Sequence, residues 1–246
     1  MSEQIIFEDL GIRSYKEVWD YQEKLLRENT DKKAVMRMSA DQSPDTAKPA
    51  DTVNHLLFVE HTPVYTLGKN GKESHVLISE KERGERGIEY FHINRGGDIT
   101  FHGPEQLVGY PVLDLEKFKT DLGWYLRSLE EVIIQTLAAY GIQGERSPGE
   151  TGVWIDPAEK GRERKICAMG IKCSRWITMH GFAFNVNTDL TYFDHIIPCG
   201  IENKQVTSLQ KELGRAVPLS EVKNLVKANF EKVFQATLVD PVLIAG

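Results

Sequence analysis

KICAMGIKC (165–173) and TMHGFAFNVN (178–187) carry the reading of the fold. Both are rich in apolar, aromatic and β-branched residues, neither keeps a helical period, and only a short polar corner separates them, which predicts two antiparallel strands. GVWI (152–155) just upstream reads as a further strand. Upstream again, LGWYLRSLEEVIIQTLAAYG (122–141) sets Leu122, Leu126, Leu129, Ile133, Leu137 and Tyr140 near one helical face, with Gly141 placed to end the helix. IEYFHINRGGDITFHGPEQLVGYPVLDL (88–115) alternates short strands with Gly-Gly and His-Gly-Pro turns, glycine usage that brings backbone close to something. HLLFVEHTPVYTL (55–67) is strand-like, since Pro63 would break a helix.

Toward the N-terminus, Ser14 and Glu17 have the spacing of a capping box, and Val18, Trp19, Tyr21, Leu25 and Leu26 predict a helix over about 15–29. The stretch 30–54 loses apolar periodicity from Ser39 onward and reads as an exposed loop, its 39–52 part standing as an insertion against the family pattern described below; KERGERG (81–87) also reads as loop. A last helix over 219–236 carries Val222, Leu225, Val226, Phe230, Val233 and Phe234. Strands and helices mix without strict alternation, so the expected fold is α+β, a single domain over 1–246 with helices packed on a mixed or antiparallel sheet, rather than a doubly wound one.

Composition narrows the function. The 246 residues are 41% hydrophobic, enough for a core, and carry a formal net charge of −6. Nothing global recommends nucleic acid or an anionic membrane as partner. The opening MSEQIIFEDL lacks the basic start and long apolar run of a secretory signal, so the cytoplasm is the expected compartment. Three cysteines, Cys167, Cys173 and Cys199, fit reduced thiols, and they share no zinc-ligand spacing with the histidines, so no metal is expected.

Cys199 in HIIPCGI sits between a proline and a glycine, an accessible loop for a nucleophilic thiol or simply a small buried loop residue. Cys167 and Cys173 read as small hydrophobes within a strand. Lys165, at the head of its strand, is either a solvated charge or a cation carried on a rigid element into a site. RGGDITFHGP (95–104) matches neither phosphate-binding fingerprint; it is a tight hairpin or a backbone wall flanked by Arg95 and His102.

RGGDITFHGP (95–104), KICAMGIK (165–172), HGFAFNVN (180–187) and IPCGI (197–201), in this order, resemble the lipoyl(octanoyl) transferases over most of the chain. The resemblance implies a fold similar to the catalytic domain of biotin and lipoate protein ligases. It also implies a Cys/Lys dyad, in which Cys199 matches the acyl-accepting nucleophile and Lys165 the lysine that lowers its pKa. Substrate contacts would come from Arg95, Gly96, Gly97, Asp98, Ile99, Thr100, Phe101 and His102, from Ala168, Met169 and Gly170, and from Gly181, Phe182 and Ala183. The implied donor is octanoyl-acyl carrier protein, and the implied acceptors are lipoyl domains of 2-oxoacid dehydrogenase complexes and the glycine cleavage H protein. No cofactor is implied; the ATP-dependent lipoate or biotin protein ligases are the alternative on the same fold.

Glu105 departs from the pattern, standing in HGPEQ where that family has glycine, and a positive φ there would strain it by roughly 1–2 kcal/mol. Docking of acidic carrier domains would draw on local cations, with Lys160, Arg162, Arg164, Lys172 and Arg175 as candidates.

Overall fold

The computed structural model describes residues 2–42, 50–197 and 205–241, the side chains of 39–42 excepted. Eleven strands occur among the described residues: β1 (Glu3–Arg13), β2 (Asn54–His61), β3 (Val64–Leu67), β4 (Glu89–His92), β5 (Ile99–His102), β6 (Gln106–Val112), β7 (Val153–Ile155), β8 (Arg164–Ser174), β9 (Ile177–Asn185), β10 (Gln205–Val206) and β11 (Ala236–Val239). With them go helices α1 (Tyr15–Gln42), α2 (Glu80–Glu85), α3 (Leu122–Ala138), α4 (Leu209–Leu213) and α5 (Leu219–Phe234). The large sheet runs β10-β8-β9-β6-β2-β1-β11, with β7 also on β8, and a small sheet runs β4-β3-β5. β6, β8 and β9 pair antiparallel, whereas β1 is parallel to β2 and β11, so the sheet is mixed.

The two strands quoted first form the antiparallel pair β8–β9, in register from Cys167↔Phe184 to Ser174↔Ile177. One face of the large sheet buries Phe58, Leu107, Phe182 and Phe184 against Leu129, Ile133 and Leu137 of α3 and Val226 and Phe230 of α5. The other buries Leu57, Val59, Val108 and Met179 against Val18, Leu25 and Leu26 of α1. Helices therefore cover both faces, α3 and α5 one and α1 the other. Asp121 caps α3 by accepting from Trp124 N at 2.9 Å. At its other end Gly141 takes φ +73°, with Gly141 N–H donating to Ala138 O (3.0 Å) and Ile142 N–H to Leu137 O (3.1 Å), a Schellman closure.

Two sequence expectations fail. α1 does not stop at 29 but runs to Gln42, so 30–42 is helix rather than loop; 43–49 lie outside the described residues. The extra turns are held by polar tertiary contacts that apolar periodicity cannot show. Lys33 is buried and donates to Asp114 Oδ1 (2.5 Å), beside Glu116 (3.1 Å), and Asn29 exchanges two hydrogen bonds with Val53. Thr52, assigned to the insertion, is itself buried and donates to Asp114 Oδ2 (2.8 Å). The second miss is KERGERG, where α2 is nucleated by a full capping box between Ser79 and Glu82. The box expected at Ser14 is only half made: Glu17 N–H donates to Ser14 Oγ (3.4 Å), while the Glu17 carboxylate turns to Arg13. No described helix is long and apolar enough to cross a membrane.

Candidate active site

A cavity of about 280 Å3 lies between β8–β9 and the loop 95–102 that enters the small sheet. Small residues recur along its β8–β9 side, where Ala168 pairs with Ala183 and Gly170 with Gly181. The smallness is required by close backbone approach. A Cβ on Gly170 would sit 2.7 Å from Gly96 O, and one on Gly181 would sit 2.2 Å from Gly109 O.

The opposite wall is stiff. Arg95, buried, donates to Thr66 O (2.6 Å), Thr66 Oγ1 (3.0 Å) and Gly96 O (3.0 Å). The N–H groups of Gly68, Lys69 and Asn70 bond the carbonyls of Asp98, Arg95 and Gly97. Asp98 is tied to His75 Nδ1 (2.5 Å), and the same short segment holds residue 197 through Ile197 N–H to His75 O (2.9 Å).

A directed chain of hydrogen bonds runs beneath the cavity. Arg95 donates to Thr66 Oγ1, whose hydroxyl then donates to His102 Nε2 (3.4 Å). His102 Nδ1–H donates to Gln106 Oε1 (3.0 Å), and Gln106 Nε2 to Asn185 Oδ1 (2.8 Å) and Phe101 O (3.1 Å). Asn185 Nδ2 donates to Thr207 O (3.0 Å). The amide orientations set the His102 tautomer, and burial pushes its pKa well below the usual histidine value, so the chain carries a neutral imidazole.

At the other end His61 Nδ1–H donates to Arg13 O (3.2 Å), leaving Nε2 to accept from the Tyr110 hydroxyl (2.8 Å). Tyr15 stacks parallel to His102, ring centroids 5.9 Å apart. His180 is buried at φ +61°, and neither ring nitrogen has a hydrogen-bond partner among the described residues. Burial lowers its pKa to about 3 and that of His61 to about 4.

Lys165 lines the cavity with its backbone paired on both edges, to Trp154 of β7 and Val206 of β10. Its ammonium lies over the Trp154 ring, 4.5 Å from the centroid. Cys199 lies outside the described residues. Burial raises the Cys167 thiol pKa strongly and that of Cys173 as well, which keeps both as thiols.

Of the loop residues named from the sequence, Arg95, Gly97, Asp98, Ile99, Thr100 and His102 line the cavity. Gly96 and Phe101 do not: Gly96 N–H turns to Ile171 O (2.9 Å), and the Phe101 ring stacks on Tyr192 at 4.4 Å. Ala168, Met169, Gly170, Gly181, Phe182 and Ala183 all line it. Tyr15, Gln106, Tyr110, His180, Asn185 and Val206 line it too and escaped the sequence reading. Gln106, His180 and Asn185 stand inside motifs already quoted, and their polarity amid apolar strand residues was the usable signal. Tyr15 and Tyr110 carried none.

The candidate docking cations are mostly engaged within the chain: Arg162 with Asp156 and Glu159, Arg164 with Asp156 and Glu212, and Lys172 with Glu23. Arg175 donates to Thr30 O (3.1 Å), and Lys160 is exposed.

Residues 14–231 match the family model of the lipoyl protein ligase A/B catalytic domain. The chain is 53% identical over 239 residues to an octanoyltransferase of Christiangramia forsetii, covering 97% of this chain and 99% of the relative. An octanoyltransferase of Flavobacterium psychrophilum is 52% identical over 240 residues, covering 97% and 100%. Among solved structures, a bipartite lipoate protein ligase from Thermoplasma acidophilum superposes with TM-score 0.67 at 16% identity, over 98% of this chain and 87% of that one. A lipoate-protein ligase A bound with ATP gives 0.66 at 13%, over 98% and 88%; at such identities the likeness is one of fold. Matched along nearly its whole length by relatives that share half its residues, the chain belongs to the lipoyl protein ligase A/B catalytic-domain family and, within it, to the octanoyltransferases, which are acyltransferases.

Proposed function

We propose that the protein transfers an octanoyl or lipoyl group from acyl carrier protein to a lysine of lipoyl domains, in the cytoplasm, through a thioester on Cys199. The acceptors are lipoyl domains of 2-oxoacid dehydrogenase complexes and the glycine cleavage H protein, and the product opens the route to the lipoate cofactor. One observation carries the reading. Lys165 borders a cavity with a small-residue floor, and the strand that resumes the chain after the segment containing Cys199, β10, pairs beside it at Val206. The family membership supports it.

A protonated Lys165 favours the Cys199 thiolate electrostatically. The sulfur attacks the carrier thioester carbonyl; a new carbon–sulfur bond forms, the bond to the pantetheine sulfur breaks, and the departing thiolate takes the Lys165 proton. The acceptor amine, arriving neutral, then attacks the acyl-enzyme. As the carbon–nitrogen bond forms and the bond to Cys199 breaks, the nitrogen gives its proton to Lys165, restoring the starting charges. A thioester becomes an amide, which is downhill without ATP.

The test is transfer from octanoyl carrier protein to a purified lipoyl domain without ATP, with Cys199→Ser and Lys165→Ala beside the parent. Transfer should fall by about 10³-fold or more in Cys199→Ser with the thermal melt unchanged. Undiminished transfer in Cys199→Ser overturns the mechanism, and labelling that needs free octanoate and ATP supports a ligase instead.

A further inference from the structure

The cavity has two unlike ends. Lys165, Val206 and Asn185 stand at one. At the other, Tyr110 on β6 closes the small-residue floor. Gly109 pairs with Phe182, and a Cβ on Gly181 would meet Gly109 O at 2.2 Å and Pro111 Cδ at 2.7 Å, so Gly181 lies directly opposite Tyr110. Between the ends run Ala168 and Ala183, which carry only methyls, followed by Gly170 and Gly181, over which Gly96 O and Gly109 O pack closely.

The Tyr110 ring cannot swing aside. It is 3% exposed, its hydroxyl is held by His61 at 2.8 Å, and His61 is held in turn by the Arg13 carbonyl at 3.2 Å. Tyr15 packs on His61 with centroids 5.2 Å apart, and the edge of His180 faces Tyr110 at 6.5 Å. Along β9 the registers set Tyr110 beside Gly181 and Cys167 beside Phe184, three residues and two strand spacings apart, on the order of 14 Å, and Lys165 lies beyond Cys167 where β8 pairs with β10. A medium-length acyl chain is of the order of this span.

We infer that Tyr110, pinned by His61, is the chain-length determinant of the site, its ring meeting the terminal methyl of a slim acyl chain of octanoyl size. This rests on the reading of Lys165 as the reactive end. A phenylalanine would supply the same bulk without the anchor, and a smaller side chain would open the slot toward His61 and Tyr15.

Carrier-protein thioesters from hexanoyl to tetradecanoyl, offered in competition to the parent and to Tyr110→Phe, Tyr110→Leu and Tyr110→Ala, provide the test, with the acylated lipoyl domain quantified by mass. The parent should favour octanoyl over dodecanoyl by about tenfold or more, since single methylenes are discriminated on this scale in fitted apolar pockets. Tyr110→Leu and Tyr110→Ala should move the optimum to longer chains and raise the dodecanoyl-to-octanoyl ratio by about tenfold, while Tyr110→Phe keeps the octanoyl optimum with a broader profile. An unchanged optimum in either small-residue variant, with a cooperative melt to show that it is folded, overturns the inference. If the parent transfers no acyl group of any length, the functional reading fails; calorimetric binding of the free fatty acids then decides Tyr110 separately, a shift toward longer acids in Tyr110→Leu upholding it and no shift refuting it.

Discussion

Gly170→Ala tests whether the floor and the 95–97 wall of the cavity are as tightly joined as the geometry says. The new methyl would lie 2.7 Å from Gly96 O and 3.1 Å from Arg95 Cδ, so the loop must retreat by several tenths of an ångström. Little slack exists for that retreat. Gly96 N–H is bonded to Ile171 O at 2.9 Å, and the Arg95 guanidinium is tied to Thr66 at 2.6 and 3.0 Å, so moving the wall stretches these bonds together. Overpacking of this kind costs about 1–3 kcal/mol. For a chain of this size that is a melting-temperature drop of roughly 3–10 °C. Displacing one wall of a positioned site should also lower kcat/KM for octanoyl transfer, by about 10- to 100-fold. Differential scanning fluorimetry and a transfer time course measure the two effects. A variant that melts within 1 °C of the parent, a margin of about a few tenths of a kcal/mol, and transfers at the parental rate would refute the described contact.

Two further outcomes are expected of the polar groups. Lys33→Ala strands the Asp114 carboxylate, which is 3% exposed on its side chain, without its cation, and urea unfolding should show a loss of about 3–5 kcal/mol; a loss below about 1 kcal/mol would mean that the pair does not hold the extended α1. The second concerns pH. His61 and His180 have folded pKa values lowered to about 4 and about 3, below the ordinary value near 6.5, so the unfolded chain binds more protons between these limits. Their contribution is intact above about pH 6.5 and is lost as pH falls toward 4 and then 3, by on the order of 8 kcal/mol in all. Urea midpoints at pH 7, 5.5 and 4.5 should decline accordingly. His180→Asn, which tolerates the positive φ, should flatten the decline; an unchanged slope would count against a neutral buried His180.

Where the chain's elements are held by apolar patterning, they were legible. β8 and β9 followed from runs of strand-forming residues, α3 from its 3.6-residue stripe and glycine stop, and α5 from the same logic. The second half of α1 was not, because its anchors are Lys33 and Asn29, polar residues whose partners lie at Asp114 and Val53. α2 was readable in principle, since Ser79 and Glu82 spell out its cap, but glycines and charges on all sides hid it. Glu105 does take φ +61°, and its local conformation is compensated: its N–H donates to Glu60 (2.9 Å) and its carbonyl accepts from Asn187 N (3.1 Å) and Thr188 Oγ1 (3.1 Å). In the site, the glycine-rich wall and the Lys165 strand were visible as motifs. The far end was not, because Tyr15, His61 and Tyr110 come from three elements whose convergence only the sheet order reveals.

The most direct test of the account is the intact mass of the protein after mixing with octanoyl carrier protein alone, without ATP and without acceptor. The expected result is a gain of one octanoyl group, mapped by peptide digestion to Cys199, released by hydroxylamine and absent from Cys199→Ser. An unmodified mass alongside active transfer, or an acyl group mapped to Cys167, Cys173 or a lysine, would contradict it.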